Sequence, residues 1–297
     1  MSLDADQIEK PARKLRKLIK GMESTPTPAE IHKFRTNCRR IETTLDVLSL
    51  DSKGIGRRIS RGISKLRKRA GKIRDIDVLT DYLVAMKHPT SERDCHVRVL
   101  EYLGGRRRKY VKDFDDARKQ YRSQLRRGLK RISKKIEKVS REDANGGARA
   151  HSVSSKLAAT ALTKISELKD PPRLQRSKLH PYRLKVKELR NLLQMAAGTE
   201  QLQFTDRLGD VKDAIGEWHD WEVLVAMATD VLDHGKGCGL VKELDRIAEH
   251  KYATALRLTH GVRREFLHLP ARRSQSSKAH PIKLAQPVLS ATAALAA

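Results

Sequence analysis

The sequence predicts an all-α protein, organised as an internally duplicated pair of four-helix bundles. Along most of the 297 residues, apolar side chains recur at intervals of three and four positions, which is the period of an α-helix. The alternation typical of β-strands is absent. A basic pattern that begins with histidine also occurs twice, at His32 and at His180. The period predicts helices, and the repeated pattern predicts two related halves.

Four helices are predicted for the first half from the apolar period and from the positions of glycine and proline. They cover residues 8–22, 29–50, 56–87 and 92–138, and the fourth is expected to break or bend near Gly104 and Gly105. Four helices of this length would complete one bundle.

The second of these helices carries a basic row beside its apolar stripe. His32, Arg35 and Arg39 each follow a stripe residue by one position, which places them about 100° further round the helix. Long cationic side chains in such a place can pack their stems against the core and project their charged heads. The stripe itself consists of Ile31, Phe34, Cys38, Ile41, Leu45 and Leu48.

A linker is predicted at residues 140–150, which contain the Asn145-Gly146-Gly147 turn sequence. It divides the chain into a first helical bundle at 1–145 and a second at 146–270, followed by a disordered tail at 271–297. Helices are expected in the second half at 152–168, around His180, at 207–233 and at 240–267.

The second half repeats two blocks of the first. His180, Arg183, Lys187 and Arg190 each follow one of the first four members of the stripe Leu179, Tyr182, Val186, Leu189 and Leu193. The segment 71–79 also aligns with 216–224, at an offset of 145 residues. Two unrelated basic surfaces would rarely share this registration, so the pattern indicates duplication.

The charge balance predicts an anionic partner. Lysine and arginine total 63 against 36 acidic residues, which gives a net charge of +27 and a pI near 10.3. Nucleic acid, acidic lipid headgroups and inorganic polyphosphate all attract such a surface. Aromatic residues make up only 4% of the chain, which weighs modestly against a single-stranded nucleic acid, because such partners stack on aromatic rings.

Other site classes have little support in the sequence. The three cysteines are odd in number and form no C-x-x-C pair, so neither a disulfide framework nor a zinc site is expected and a reducing cytoplasm fits. No phosphate loop, zinc-protease motif or nucleophile elbow is present, so no catalytic residue, cofactor or metal is predicted. No apolar run approaches 18 residues, and membrane insertion is not expected.

The acidic residues near the second repeated block are interpreted as structural. Asp75 and Asp77 diverge by about 200° on a helix, as do Asp220 and Glu222, so neither pair can share one metal ion. We expect Asp75 or Asp220 to pair with a basic residue of a neighbouring helix. The arginines around His32 and His180 would repel a dication, which leaves anion contacts or core-edge packing for these histidines.

The repeated blocks resemble those of the CHAD family, the conserved histidine α-helical domain, over about residues 8–268. The likeness rests on a His-x-x-Arg-x-x-x-Arg-Arg block, an Arg-Asp-x-Asp-Val block, a second His-x-x-Arg-x-x-x-Lys block and a Gly-x-x-x-Asp block, in that order. It implies two four-helix bundles that enclose a basic cavity or groove, non-enzymatic binding of inorganic polyphosphate, and cytoplasmic association with polyphosphate granules. The chain departs from the family pattern at Glu42, Glu188, Asn191 and His219.

The resemblance assigns polyphosphate binding to residues of both halves: His32, Arg35, Arg39, Arg40, Arg74, His180, Arg183 and Lys187, with Arg190 extending the second row. Because Glu42 stands where the first row would continue, the second row is expected to contribute more. The alternatives are a basic helical protein that binds nucleic acid and an enzyme acting on polyphosphate through an unrecognised site. Weak nonspecific binding of nucleic acid is expected in any case, and the sequence does not determine the oligomeric state.

Overall fold

The computed structural model describes residues 2–3, 5–47, 50, 54–86, 92–144, 148–194, 196–197 and 202–267. Within these ranges, the chain forms eight α-helices, which confirms the all-α prediction. They are α1 (Ala5–Gly21), α2 (Pro28–Val47), α3 (Gly54–Ala85), α4 (Arg93–Ala144), α5 (Ala148–Glu167), α6 (Arg176–Leu193), α7 (Leu202–Val231) and α8 (Gly239–Leu267). The tail predicted at 271–297 and stripe residue Leu48 lie outside the described residues.

One small departure from an all-helical chain is a pair of two-residue strands. β1 (Ser2–Leu3) and β2 (Ala196–Ala197) pair antiparallel, so the start of the chain lies beside the segment that follows α6. A short 3₁₀ turn (Gly235–Gly237) precedes α8.

The break predicted at Gly104 and Gly105 is wrong, because α4 remains helical through both glycines. The guanidinium of Arg106 bridges this stretch, donating from Nη1 to the Tyr102 hydroxyl (3.1 Å) and from Nη2 to the Tyr110 hydroxyl (2.6 Å). Each partner lies four residues away, where side chains of a helix meet. These contacts stabilise the helix across the two glycines.

The linker predicted at 140–150 is also shorter than expected. Residues 140–144 complete α4 and 148–150 begin α5, while 145–147 lie outside the described residues. Most of the helical stretch consists of good helix formers such as Arg141, Glu142 and Ala144, so helix propensity extends α4 into this polar segment.

The predicted stripes form two cores, one in each half. On α2, the side chains of Ile31, Phe34, Cys38, Ile41 and Leu45 are fully buried and pack with α1, α3 and α4. The α6 stripe packs in the same way against α5, α7 and α8. Each half therefore has the four-helix arrangement that the sequence predicts.

A third core joins the halves. It contains the C-terminal half of α3, the start of α4, the C-terminal half of α7 and the start of α8. At its edge the rings of Tyr82 and Trp221 stack with a centroid distance of 4.8 Å, and Arg98 forms an ion pair with Asp233 (2.5 Å). At 32 and 30 residues, α3 and α7 are long enough to contribute side chains both to the core of their own half and to this central core. The domain boundary at 145/146 and the duplication itself stay predictions from sequence.

None of the described helices combines the length and apolar character that a membrane span requires.

Candidate functional site

In each basic row, the arginine three positions after the histidine reaches the next helix and lies against a glycine of that helix. From α2, Arg35 Nη1 donates to the Gly71 carbonyl oxygen (3.3 Å) and to Asp75 Oδ1 (3.2 Å) on α3. From α6, Arg183 lies against Gly216 of α7, where an added Cβ would be 2.6 Å from its Nη2. These positions correspond in the repeat alignment, so the two halves place their arginines in the same way.

The two rows converge on one region of the molecule. The Lys187 ammonium is largely buried, and burial together with the charges of Arg39 and Arg183 lowers its pKa to about 7. Burial also lowers the pKa of Arg39 to about 10, with Arg35, Arg67 and Arg183 adding to the effect. Charges from α2 and α6 therefore act on each other across the two halves.

We call the converging cations the basic cluster. It consists of Arg35, Arg39, Arg67 and Arg74 from α2 and α3, and of Arg183, Lys187 and Lys212 from α6 and α7.

Several buried nitrogen atoms lack a hydrogen-bond partner among the described residues, and two of them belong to the basic rows. They are Arg39 Nε and His180 Nδ1. A buried polar atom without a partner costs free energy, so both atoms are suited to contact a bound anion.

The surroundings of the two row histidines favour the neutral imidazole, because they lower the pKa of both. Desolvation, followed by the charges of Arg74, Arg35 and Lys212, lowers the pKa of His32. Desolvation also lowers the pKa of His180, whose ring centroid lies 4.3 Å from that of His219 on α7. A neutral imidazole can donate one N–H to an anion and gain a second donor when the anion raises its pKa.

Three carboxyl groups lie close to the basic cluster, and burial raises the pKa of two of them. Burial raises the pKa of Glu42 although its oxygen lies 2.6 Å from Arg67 Nε. Burial likewise raises the pKa of Asp220 to about 6, against the opposing charge of Arg183. The third, Asp75, is exposed and pairs with Arg35, so the expected structural pairing of this residue is confirmed.

The acidic residues two positions further along anchor other arginines. Asp77 is buried and accepts from Arg107 Nε (2.7 Å), whose Nη2 donates to the Pro26 carbonyl oxygen (3.0 Å). The aligned Glu222 accepts from Arg176 Nε (2.6 Å). Arg107 thus connects α4 to α3 and to the loop before α2.

Two members of the basic cluster, Arg67 and Lys212, are not among the residues assigned from the resemblance. Each lies four residues before an aligned glycine, Gly71 or Gly216, one helical turn away on the same face. Extending the repeat alignment by one turn would have found both. His219 occupies the position aligned with Arg74, so a second histidine takes the place of one basic side chain in the second half.

The described contacts do not connect Arg40 or Arg190 to the basic cluster. The Arg190 side chain packs over Gly209, and its Nε donates to the Thr205 carbonyl oxygen (3.3 Å). Arg40 follows Arg39 and so projects about 100° away from it. The other seven residues assigned from the resemblance lie in the cluster or beside it.

The fold and site define an all-helical protein whose two four-helix halves present one shared basic cluster. A family model described as the CHAD domain matches residues 6–229, which is more than half of the chain. The chain therefore belongs to the CHAD family. The match ends within α7, so α8 lies beyond it.

One solved structure with a similar fold is PptA from Streptomyces chartreusis. The likeness has a TM-score of 0.50, covers 88% of this chain and 99% of that chain, and has 13% sequence identity. At this identity the comparison shows the fold alone. No curated protein matches the sequence.

Proposed function

We propose that the chain binds inorganic polyphosphate at the basic cluster, as a binding module and not as an enzyme. The observation that carries the proposal is the environment of Lys187. This largely buried amine lies near the guanidinium groups of Arg39, Arg67 and Arg183, and burial together with these charges lowers its pKa. Like charges gathered in this way destabilise the unliganded protein. A polyanion between them would replace repulsion by attraction.

The chemistry of the cluster suits a phosphate polymer. Guanidinium groups can bind two phosphate oxygens at once, and a linear polyphosphate carries roughly one negative charge per phosphate. Successive phosphates could therefore engage cations of α2 and α3 and then those of α6 and α7, along a groove between the halves. Arg39 Nε and His180 Nδ1 would supply donors that have no partner among the described residues.

Polyphosphate fits better than single-stranded nucleic acid, because the aromatic ring described beside the cluster, that of Tyr82, is not free for base stacking. Tyr82 lies close enough for Arg74 and Arg183 to influence its pKa. Its ring, however, is stacked on Trp221. Long cationic side chains with no base platform favour an anion that consists of charge alone.

The direct test is calorimetric titration of the intact chain with polyphosphate. A variant with His32, Arg35 and Arg39 all changed to alanine should bind at least about 100-fold more weakly, since each charge-assisted contact contributes roughly 1.5–3 kcal/mol. The matched control is Arg126→Ala with Arg127→Ala, which removes the same formal charge from two exposed positions of α4. An equal loss of polyphosphate affinity in both variants would show that binding depends on net charge and not on this site.

Competition distinguishes polyphosphate from nucleic acid. Transfer RNA and duplex DNA are added to the complex with labelled polyphosphate, at equal phosphate concentration and fixed salt. We expect little displacement. Full displacement by either nucleic acid would favour the alternative function.

The enzyme alternative is tested by phosphate release from polyphosphate with magnesium or manganese. We expect none above background. Turnover that persists through purification and disappears in a point variant of the cluster would overturn the binding-module proposal.

Association with polyphosphate granules is a further part of the proposal. A fluorescent fusion of the full chain should gather on granules in cells that store polyphosphate, and the triple alanine variant should not. A fusion that stays diffuse while the purified chain binds polyphosphate would contradict granule association alone.

A further inference from the structure

Two of the three cysteines meet at the far end of the central core, away from the basic cluster. Cys95 lies in the first turn of α4, and Cys238 directly precedes α8. Their sulfur atoms and a carboxylate oxygen of Glu92 all lie within 4.8 Å of one another. Cys238 Sγ is 3.4 Å from Glu92 Oε2. Sequence spacing gave no sign of this arrangement, because residues 95 and 238 are far apart in the chain.

The three ligand atoms lie close enough for small side-chain movements to bring them onto one zinc ion. Zinc binds thiolate sulfur at about 2.3 Å and carboxylate oxygen at about 2.0–2.2 Å in tetrahedral geometry. Those bond lengths put ligand atoms about 3.5–3.8 Å apart. The sulfur–oxygen distance of 3.4 Å between Cys238 and Glu92 is already close to this value.

The backbone is shaped to admit the Glu92 carboxylate. A Cβ at Gly239 would lie 2.2 Å from Glu92 Oε1, so glycine leaves room for the carboxylate in the position that it occupies. Glu92 Oε2 also accepts a hydrogen bond from the Leu240 backbone N–H (3.2 Å). This bond fixes the carboxylate between the two helices and directs it toward the sulfur atoms.

The complex of zinc with these three ligands would carry a small net charge. Two thiolates and one carboxylate around Zn²⁺ carry a net charge of −1, and the N-termini of α4 and α8 both favour negative charge. Cys238 is buried, whereas Glu92 and Cys95 are partly exposed. Three protein ligands with one open side leave a fourth position for water.

We propose that Glu92, Cys95 and Cys238 bind a zinc ion that links the start of α4 to the start of α8. The metal would join the two halves of the chain at the end of the central core. This site is independent of polyphosphate binding, and it differs from the expectation from sequence that the cysteines form no zinc site.

The test uses the full chain, reduced and freed of metal, and titrated with Co²⁺ in place of Zn²⁺. We expect about one equivalent to bind with the sulfur-to-cobalt charge-transfer absorption and strong visible bands of a tetrahedral thiolate site, and Zn²⁺ to abolish both. Cys95→Ser and Cys238→Ser should each weaken binding by at least about 100-fold, more than the loss of a group that merely supports a ligand.

Cys38→Ser is the matched control, because Cys38 is fully buried in the first core. It should leave the cobalt spectrum unchanged. Absence of the charge-transfer band in the wild-type protein, or its persistence when Cys95 and Cys238 are both serine, would overturn the proposal. Isolation of the pair as a disulfide that takes up no cobalt after reduction would overturn it too.

A measurement on the wild-type chain guards against variants that fail to fold. Zn²⁺ should slow alkylation of the partly exposed Cys95 at least about 10-fold, read by mass spectrometry of its peptide, since a metal-bound thiolate is shielded. An unchanged rate at saturating Zn²⁺ contradicts the site.

Discussion

At the scale of single residues, Lys187 is the most informative member of the basic cluster, because it is a buried cation among other cations. A lysine ammonium is strongly hydrated, and burial beside Arg39 and Arg183 removes that hydration while adding repulsion. The protein therefore retains a cation that weakens its own fold. Such a residue is expected where a ligand of opposite charge restores the balance.

Lys187→Met should stabilise the unliganded fold. The folded pKa of about 7 lies below the ordinary value of 10.5, so the amine destabilises the fold below pH 10.5, increasingly so down to about pH 7. Thermal unfolding at pH 7 should show a gain of roughly 1–3 kcal/mol. The gain should vanish near pH 10.5, and polyphosphate binding should weaken. Lys68→Met, at an exposed position of α3, is the control; a gain there as large as at Lys187 would contradict the account.

Binding should depend on pH in a predictable direction. The pKa values of His32, His180 and Lys187 are lowered in the free protein, and a bound polyanion raises them, so binding takes up protons. Affinity at fixed salt should therefore rise from pH 8 to pH 6 through the histidines. Lys187 should add a rise between about pH 10 and pH 7.

Lys187→Arg separates the two contributions to this pH profile. It should remove most of the rise above pH 7 and leave the rise between pH 8 and pH 6. A flat calorimetric profile for the wild-type chain would exclude a role for these groups.

The sequence could predict the two rows because each residue follows the core stripe by one position. It could not predict that Arg39 and Lys187 influence each other, since that depends on how α2 and α6 are placed. Arg67 and Lys212 were within reach of the sequence, because they stand at matching positions before Gly71 and Gly216. The proximity of Cys95 and Cys238 could not be predicted from the sequence, because they are far apart in the chain.

At the scale of helices, the close contact between α6 and α7 positions Arg183. Its Nε donates to the Lys212 carbonyl oxygen (3.0 Å), and its guanidinium lies on Gly216. The corresponding contact between α2 and α3 is looser, with the nearest Arg35 atoms 3.9 Å from a Cβ built at Gly71. Arg183 thus packs more closely on its glycine than Arg35 does.

Gly216→Ala should displace Arg183 and weaken polyphosphate binding, by roughly 10-fold, which is about 1.4 kcal/mol. Gly71→Ala is the matched control and should change affinity little, because its methyl group meets only ordinary contacts. Calorimetry on both variants checks this. Equal effects would contradict the positioning role of Gly216.

Helix boundaries were largely predictable, since glycine, proline and apolar period mark them locally. The break expected at Gly104 and Gly105 was wrong because Arg106 bridges Tyr102 and Tyr110 across it. A pattern based on glycine alone does not include side-chain contacts that span the same turn.

At the scale of the whole molecule, the central core makes the two halves depend on each other. It buries Ile76, Leu79 and Leu83 of α3 against Leu224 and Leu244 from the second half. These α3 residues continue the apolar period of their helix. A helical period does not show that the other half is their partner.

A fragment of residues 1–144 should therefore be much less stable than the intact chain. Its α3 and α4 would expose apolar side chains that the second half covers, and exposed patches of this kind promote aggregation. Circular dichroism melting and binding of a hydrophobic dye measure both effects. A fragment that unfolds cooperatively near the melting temperature of the intact chain would show that 1–145 is an independent domain.

The central claim is that the rows of α2 and α6 form one site. The most direct measurement is the stoichiometry and affinity of a short polyphosphate of defined length, determined by calorimetry for the wild type, Arg39→Ala and Lys187→Ala. The account predicts one site per chain whose affinity falls in both variants. Two sites per chain, with each variant losing one and keeping the other at full affinity, would contradict it.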